Sequence, residues 1–583
     1  MTYHIFQDPI SGGVYFSLGL PQATYPVRVG GGFQSLDRAI NHAVANGLIG
    51  DYHIPPGRHA FDAVVNITLP VTVKLHAATE VSVNHAGAVG AFHFQSNNTG
   101  LIGPGGIVAP TAYADQDLVK FTNCLAPTIS GVYVDFLTDN ATSANPQTGI
   151  KFDTCVAPII TGCKVYPGEG TRGYHIVSCS YGSYDRNHWG AKSGRSLEQD
   201  GTELWTKRRG WRGLQVEGWT HFDIGVGCTF HGVGSVLDPN NPLDDASDFI
   251  VDKMVYIKAT NLGGDNAEES GHAILHGIKS EGVHARNLYW IEGQYFLHWF
   301  DTQIGASSGP KRYDPANNRV DCAVFIQGIG AKANQNFVMD GVNIHNTIFG
   351  GKETDPILGK TPPMVSLSGA FRWEIKNCSF DLINSGTGIY IDQGLCWQGY
   401  VHDNHFVGGS GGNPAQRPWR LQCGVVRGES GQKIIFKNNV CVNFDHLHDS
   451  VEVMGLGFAG INPTGLNFDP ALKVTTTASL AVKGGGNPTI TAAAGTPFSG
   501  LLVGDLVDLR GPVTAGTGVV GNWKSNVGLM KIKAKPSGTG SNITVETNPF
   551  FTDFVANEGP VAITLDVFER RGSTNIDVQT VAY

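Results

Sequence analysis

Between about residues 118 and 450, short apolar-rich segments alternate with polar corners, and the same pattern keeps returning. One form recurs as LVKFTNC (118–124), GIKFDTC (149–155), GYHIVSC (173–179), GLQVEG (213–218), HAILHG (272–277), AVFIQG (323–328), MVSLSG (364–369), IYIDQG (389–394) and CGVVRG (423–428). Each holds five or six residues closed by Cys or Gly. A second form follows several residues later, as in TISGVYVDF (128–136), IITGCKVY (159–166), DIGVGCTFHG (223–232), HARNLYWIEG (284–293), FVMDGVNIHN (337–346), EIKNCSFD (374–381), VHDNHFVGG (401–409) and IFKNNVCVNF (435–444). It places an apolar residue, then Gly, Asn or Asp two positions on, then alternation. Alternation over so few residues predicts strands. A two- or three-strand unit repeating this often cannot bury its own apolar face, so it must stack on its neighbours. Gly, Asn or Asp supplies the left-handed corner between strands. Stacked coils then build long parallel sheets at ~4.8 Å per coil, with right-handed crossovers.

The columns sharpen this reading. Ile129, Ile160, Gly225, Ala285, Met339, Ile375, Val401 and Phe436 precede the corner; Val134, Val165, Phe230, Trp290, Ile344, Phe380, Phe406 and Cys441 follow it. Both are expected to point inward. FQSLDRAINHAVANG (33–47) places Leu36, Ile40 and Val44 on one helical face, opened by Ser35 and closed by Gly47. A helix there would cover the first coil. Beyond about residue 470 the chain turns Thr-, Val-, Gly- and Ala-rich and lacks Cys, which suggests an antiparallel β-sandwich or barrel. The expected organisation is a short N-terminal segment (1–32), the capping helix and first coils (33–117), a central β-helix with inserted loops (118–469) and a C-terminal β-rich domain (470–583).

Composition agrees with an all-β fold rich in turns: 77 Gly, only 16% charged residues and 41% hydrophobic ones. A net charge of −9 argues against a nucleic-acid surface. The ten Cys follow strand positions without any CxxC, which reads as buried free thiols made in a reducing compartment. The opening MTYHIFQDPISGGVYF has neither a basic nor an apolar signal region, and no apolar run is long enough for membrane insertion.

The helix at 35–46, the following DYHIPPGRHAF, the coils of 118–450 and the Cys-free tail together resemble a bacteriophage tailspike or capsular polysaccharide depolymerase with the pectate-lyase-like right-handed parallel β-helix. The resemblance implies a homotrimer whose C-terminal domain aids trimerisation or binds carbohydrate. It implies synthesis in the host cytoplasm, a place on the virion, a phage tail or another tail fibre protein as partner, and action on a bacterial surface polysaccharide. No cofactor is implied.

Insertions at 180–212, 233–270, 293–321 and 347–362 are expected to pile up on one side and wall a groove. They and the neighbouring strands offer Trp205, Arg209, Trp211, Tyr289 and Trp299 as sugar-binding residues, since aromatic faces stack on pyranose rings and Arg forks onto carboxylates. Burial under loops is the competing role for each Trp. The residue before each closing Cys or Gly reads Asn123, Thr154, Ser178, Glu217, His276, Gln327, Ser368, Gln393 and Arg427. A single ladder through them makes Glu217 and His276 neighbours able to serve as general acid and base; a merely solvent-facing column is the alternative. Hydrolysis needs two carboxylates. Glu217, Asp223, Glu281, Glu292 and Asp301 lie in these coils, with Glu217 and Glu281 favoured and Asp301 next. Elimination from a uronate instead needs a base and a carboxylate neutraliser, for which His276 or His284 with Arg286 would serve. A binding-only fibre is the third possibility. DHLHD (445–449) reads as a polar turn rather than a metal site, and the acidic GGDNAEESG (263–271) does not match a Ca²⁺ loop.

Overall fold

The computed structural model describes residues 2–7, 14–18, 27–33, 35–137, 146–168, 170–190, 210–218, 221–233, 251–258, 272–283, 285–293, 296–305, 307, 322–327, 334–345, 363–368, 370–382, 387–391, 397–408, 417–422, 434–442, 453–454, 473–481, 489–503, 505–510, 528–535, 540–546, 558–567 and 581–582. The chain divides into two compact units: 1–311 with 321–349, and 312–320 with 350–583.

In the first unit each coil contributes one strand to each of three parallel sheets, giving a right-handed parallel β-helix. Sheet one runs from Asp51–Ile54 to Phe337–Asp340, sheet two from Gly57–Phe61 to Asn343–His345, and sheet three from Val65–Ile67 to Cys322–Gln327. Inward side chains form continuous ladders. Phe94, Phe121 and Phe152 stack with centroids 4.5 Å apart at each step. Eight described cysteines, Cys124, Cys155, Cys163, Cys179, Cys228, Cys322, Cys378 and Cys441, are buried free thiols; Cys396 and Cys423 lie outside the described residues.

The helix spans Leu36–Ala45 and buries Leu36, Ala39, Ile40, Ala43 and Val44. Ser35 has the extended backbone of a cap but its side chain makes no cap bond. The tether comes from buried Asp37, whose carboxylate accepts the amides of Asp62 and Ala63 at 3.2 and 3.0 Å. Ahead of the helix lies a three-stranded antiparallel meander, Thr2–Gln7, Val14–Leu18 and Val27–Phe33, whose first strand pairs parallel with Asp51–Ile54. Its glycine run, Gly30 to Gly32, hid the third strand from pattern reading.

The corners explain the closing residues. Asn123, Thr154, Ser178 and Gly218 all adopt left-handed backbone, with φ of 54°, 57°, 51° and 57°. Their amides ladder onto the next coil, Asn123 to the Asp153 carbonyl at 3.0 Å and Ser178 to that of Glu217 at 2.8 Å. Thr154 is the strained member, being β-branched. Thr154→Asn is expected to stabilise the fold by about 1 kcal/mol, seen as a raised thermal unfolding midpoint. A lowered midpoint would show that the Thr154 hydroxyl, 3.1 Å from Asp153 Oδ1, outweighs the strain.

One interior contact bears on sheet three. Trp189 is fully buried. A Cβ on Gly173 would stand 2.5 Å from Trp189 Cδ1, and one on Gly213 2.9 Å from Cε3. Only glycine lets the indole lie directly beneath these two strands.

The second unit repeats the coil in three parallel ladders: Pro363–Ser368 with Thr387–Ile391 and Arg417–Gln422, Ala370–Lys376 with Trp397–His402 and Ile434–Lys437, and Ser379–Asp381 with His405–Val407 and Val440–Val442. Asn404 and Asn439 fill the corner interior. Asn404 Oδ1 accepts the Cys378 amide at 2.9 Å, and its Nδ2 donates to the Ile375 carbonyl at 2.9 Å. The strands from Val474–Ala481 to Glu558–Val567 close into a six-stranded antiparallel barrel around Ile490, Phe498, Val507, Ile532, Val545 and Leu565. A barrel was one of the two forms that the alternation allowed.

Candidate active site

Sheet three gathers polar chemistry in the first unit. Along its strands, Val119, Phe121, Tyr174, Ile176, Leu214, Val216, Val255 and Ile257 are fully buried, and the residues between them point away from the core. Register sets three columns. One reads Arg172, Arg212, Lys253; the second His175, Gln215, Tyr256, Trp290, Phe325; the third Val177, Glu217, Lys258, Glu292, Gln327.

A connected network joins them. Arg172 Nη1 donates to His175 Nδ1 at 2.5 Å, which leaves the proton on Nε2 to be donated to Glu217 Oε2 at 3.2 Å. Gln215 donates to the other Glu217 oxygen at 2.7 Å and accepts from Arg212 Nη1 at 2.9 Å. Arg212 also places Nε and Nη2 on Asp252 Oδ2, at 3.1 and 2.8 Å, and Lys253 Nζ shares that oxygen at 2.9 Å. Tyr256 donates its hydroxyl to Glu292 Oε2 at 3.1 Å. Aromatic faces lie against the cations: Trp211 under Arg212 at 3.8 Å, Tyr256 under Arg212 at 4.6 Å, and Trp290 under Lys253 at 4.7 Å.

The electrostatics follow from this geometry. Burial pushes the Glu217 carboxyl upward, but the hydrogen bonds from His175 and Gln215 and the charge of Arg172 outweigh it and pull it down to about 2. Burial, aided by Arg172, draws His175 down to about 4 against the pull of Glu217. At neutral pH the pair is therefore a carboxylate accepting from a neutral imidazole. Burial and the Glu292 charge raise the Tyr256 phenol.

The structure separates the residues that the single-ladder reading joined. Glu217 neighbours Val177 and Lys258 on sheet three, whereas His276 pairs with Phe300 on sheet one. Two facts caused the error. The strand Val251–Lys258 ends without a closing Cys or Gly and was read as part of an insertion. The roles of HAILHG and HARNLYWIEG are exchanged: the former belongs to sheet one and the latter to sheet three. Trp290, expected inside, accordingly faces outward, while Tyr289 and Trp299 are fully buried with rings 4.6 Å apart. Neither of these two can stack on a sugar.

Glu281 is exposed on sheet two, in register with His231 and Gly305. Asp301 is exposed at a left-handed corner after Phe296–Phe300. His276 lies 3.2 Å from Asp223 Oδ1 and stacks on Phe300 at 5.2 Å. Trp205, Arg209 and His284 lie outside the described residues, and Arg286 is half-buried on sheet three. Sequence reading missed Arg172, His175, Arg212, Asp252, Lys253 and Tyr256. A signal existed, because TRGYHIV (171–177) and WRGLQVE (211–217) align residue for residue.

A second titratable group lies on sheet one. Asp185 is raised by burial and by the charge of Asp223, with His276 opposing. At the opposite end of the same strands, Tyr181, His221, His272 and Phe296 stack in sequence at 5.1, 4.5 and 5.2 Å. Among the described residues, no group of three or more His, Cys, Asp or Glu is placed to hold a metal ion, and no helix is long and apolar enough to cross a membrane.

Fold and site together describe a parallel β-helix bearing a charged, aromatic-lined face. No protein-family model and no curated protein sequence matches the chain. Solved structures do. A tailspike protein mutant of E. coli bacteriophage HK620 in complex with a pentasaccharide is 11% identical over 92% of this chain and 89% of that one, with a TM-score of 0.39. The catalytic domain of a GH87 α-1,3-glucanase in complex with nigerose is 10% identical over 70% and 69%, at 0.41. A putative glycosyl hydrolase from Parabacteroides merdae is 15% identical over 33% and 86%, at 0.24.

Proposed function

We propose that this chain binds and cleaves a bacterial surface polysaccharide by glycosidic hydrolysis on the outer face of sheet three. The carrying observation is the pair of carboxylates, Glu217 and Glu292, on alternate rungs of one column with Lys258 between them, Tyr256 in the adjoining column of the middle rung, and cations and aromatic rings around them. Two rungs separate their backbones by roughly 9.5 Å, at the upper end of the ~6.5–9.5 Å that leaves room for a water in an inverting hydrolase. Glu217, held ionised by His175, takes a proton from the attacking water. Glu292, in its protonated form, gives that proton to the departing glycosidic oxygen and becomes the carboxylate that the Tyr256 hydroxyl holds in place. Elimination is the weaker reading. The Tyr256 phenol that would serve as its base is harder to ionise than usual.

A second reading places the chemistry on sheet one, with Asp185 as acid and Asp223 as base and the Tyr181–His221–His272–Phe296 stack at the opposite end of the strands. The raised Asp185 favours it. Sheet three is preferred because it brings cations, aromatic faces and two carboxylates into one register. The tailspike resemblance extends the proposal to a homotrimer carried by a phage tail and acting at the bacterial surface. The test is incubation of the protein with capsular polysaccharides from a strain panel, followed by size measurement. Loss of polymer length without the ultraviolet absorbance of an unsaturated uronate supports hydrolysis. Appearance of that absorbance assigns a lyase, and binding without shortening assigns a fibre.

A further inference from the structure

Arg172 differs from its neighbours on this face. Lys120 and Lys151 lie 3.8 and 3.3 Å from Asp117, and Arg212 and Lys253 share Asp252. Arg172 makes no ion pair among the described residues. One of its nitrogens, Nη1, rests on the neutral imidazole of His175, and its Nε is buried without a hydrogen-bond partner. Stacked against it in register come Arg212 and Lys253, so three cations occupy successive rungs, with Asp252 the carboxylate that pairs with the latter two. Trp211 lies 3.8 Å from the Arg212 guanidinium and 5.2 Å from that of Arg172, fixing both.

Glu217, Asp117 and Asp115 attract this guanidinium without touching it, and a half-buried guanidinium without a direct ion pair is costly unless a partner arrives. Its planar fork matches a carboxylate in two parallel hydrogen bonds. We propose that Arg172 is a substrate-binding residue for a carboxylate on the sugar chain, and that the polysaccharide cleaved on sheet three is therefore acidic. This rests on the reading of sheet three as the glycan site. Uronate, sialate and pyruvate-ketal carboxylates share this chemistry, and the choice of polymer in the test separates them.

The test screens purified capsular polysaccharides, some neutral and some bearing uronate, sialate or pyruvate ketal, for binding and cleavage by the full chain. The polymer that is cleaved is then carboxyl-reduced with carbodiimide and borohydride. Expected is cleavage of an acidic polymer, a rise in KM of at least about tenfold on carboxyl reduction, and a similar rise in Arg172→Gln with a smaller change in kcat. Arg172→Lys should recover part of the loss, as charge without the fork. If Arg172→Gln does not fold, the reduced polymer acting on the unaltered chain still decides. Equal cleavage of native and reduced polymer, or cleavage of a neutral one, overturns the carboxylate assignment and leaves the hydrolase reading intact. Binding to none of the panel overturns both.

Discussion

Glu217→Gln is expected to lower kcat for polysaccharide cleavage by about a thousandfold, within the range general base catalysis supplies, while binding and unfolding midpoint change little. The amide keeps the shape and still accepts from His175 through its oxygen, which keeps the Arg172–His175 contact, while its NH2 obliges the Gln215 amide to turn. What disappears is the negative charge that would take a proton from water. Because the carboxyl sits near 2, the unaltered chain holds the proposed base ionised throughout the range in which bacteria grow, and an acid limb near neutrality would belong to another group. Glu281→Gln and Asp301→Asn serve as controls. Both residues are exposed and stand off sheet three, so wild-type rates are expected. Full activity in Glu217→Gln, or its loss in Glu281→Gln, would move the chemistry elsewhere.

Asp252→Ala is expected to destabilise the first unit by about 3–5 kcal/mol, the usual cost of leaving buried charge without its partner. Asp252 accepts three charged hydrogen bonds, two from Arg212 and one from Lys253. Without it, Arg212 and Lys253 stand beside Arg172 with no carboxylate between them. The same residue gives stability a pH dependence. Burial would raise its carboxyl, but the charges of Lys253 and Arg212 pull it down to about 2. A carboxyl depressed in the folded state binds fewer protons there than in the unfolded chain. Its contribution is therefore complete above the ordinary aspartate value and is lost as pH falls from about 4 toward 2. Urea unfolding at stepwise pH should show a steeper acid decline in the unaltered chain than in Asp252→Ala. An unchanged midpoint at neutral pH would mean that the two cations find water or another carboxylate at no cost.

The coil architecture was legible because its physics is local and repeated. Alternation such as LVKFTNC and GIKFDTC names the inward residues directly, and Asn123 and Gly218 mark the corners by their tolerance of left-handed backbone. The helix was legible from Leu36, Ile40 and Val44, whereas its tether through Asp37 was not, since Asp62 and Ala63 are distant in sequence. The proposed site was legible only at Glu217, with Glu292 and Trp211 among several candidates. Vertical neighbours depend on the register of every intervening coil, and one unrecognised strand, Val251–Lys258, hid the true neighbour of Glu217. Lys258 in place of a closing Gly was enough to hide that strand. Conversely, Tyr289 and Trp299 look like sugar platforms by composition, and only the alternation phase reveals that they face the core.

The most direct measurement is the crystal structure of Glu217→Gln bound to an oligosaccharide of the polysaccharide that the unaltered chain is expected to cleave. The sugar chain should cross the outer face of sheet three, with one glycosidic oxygen between residues 217 and 292 and a ring near Trp211. Density lying instead along Tyr181, His221 and His272, toward Asp185 and Asp223, would contradict the assignment and transfer the active site to sheet one.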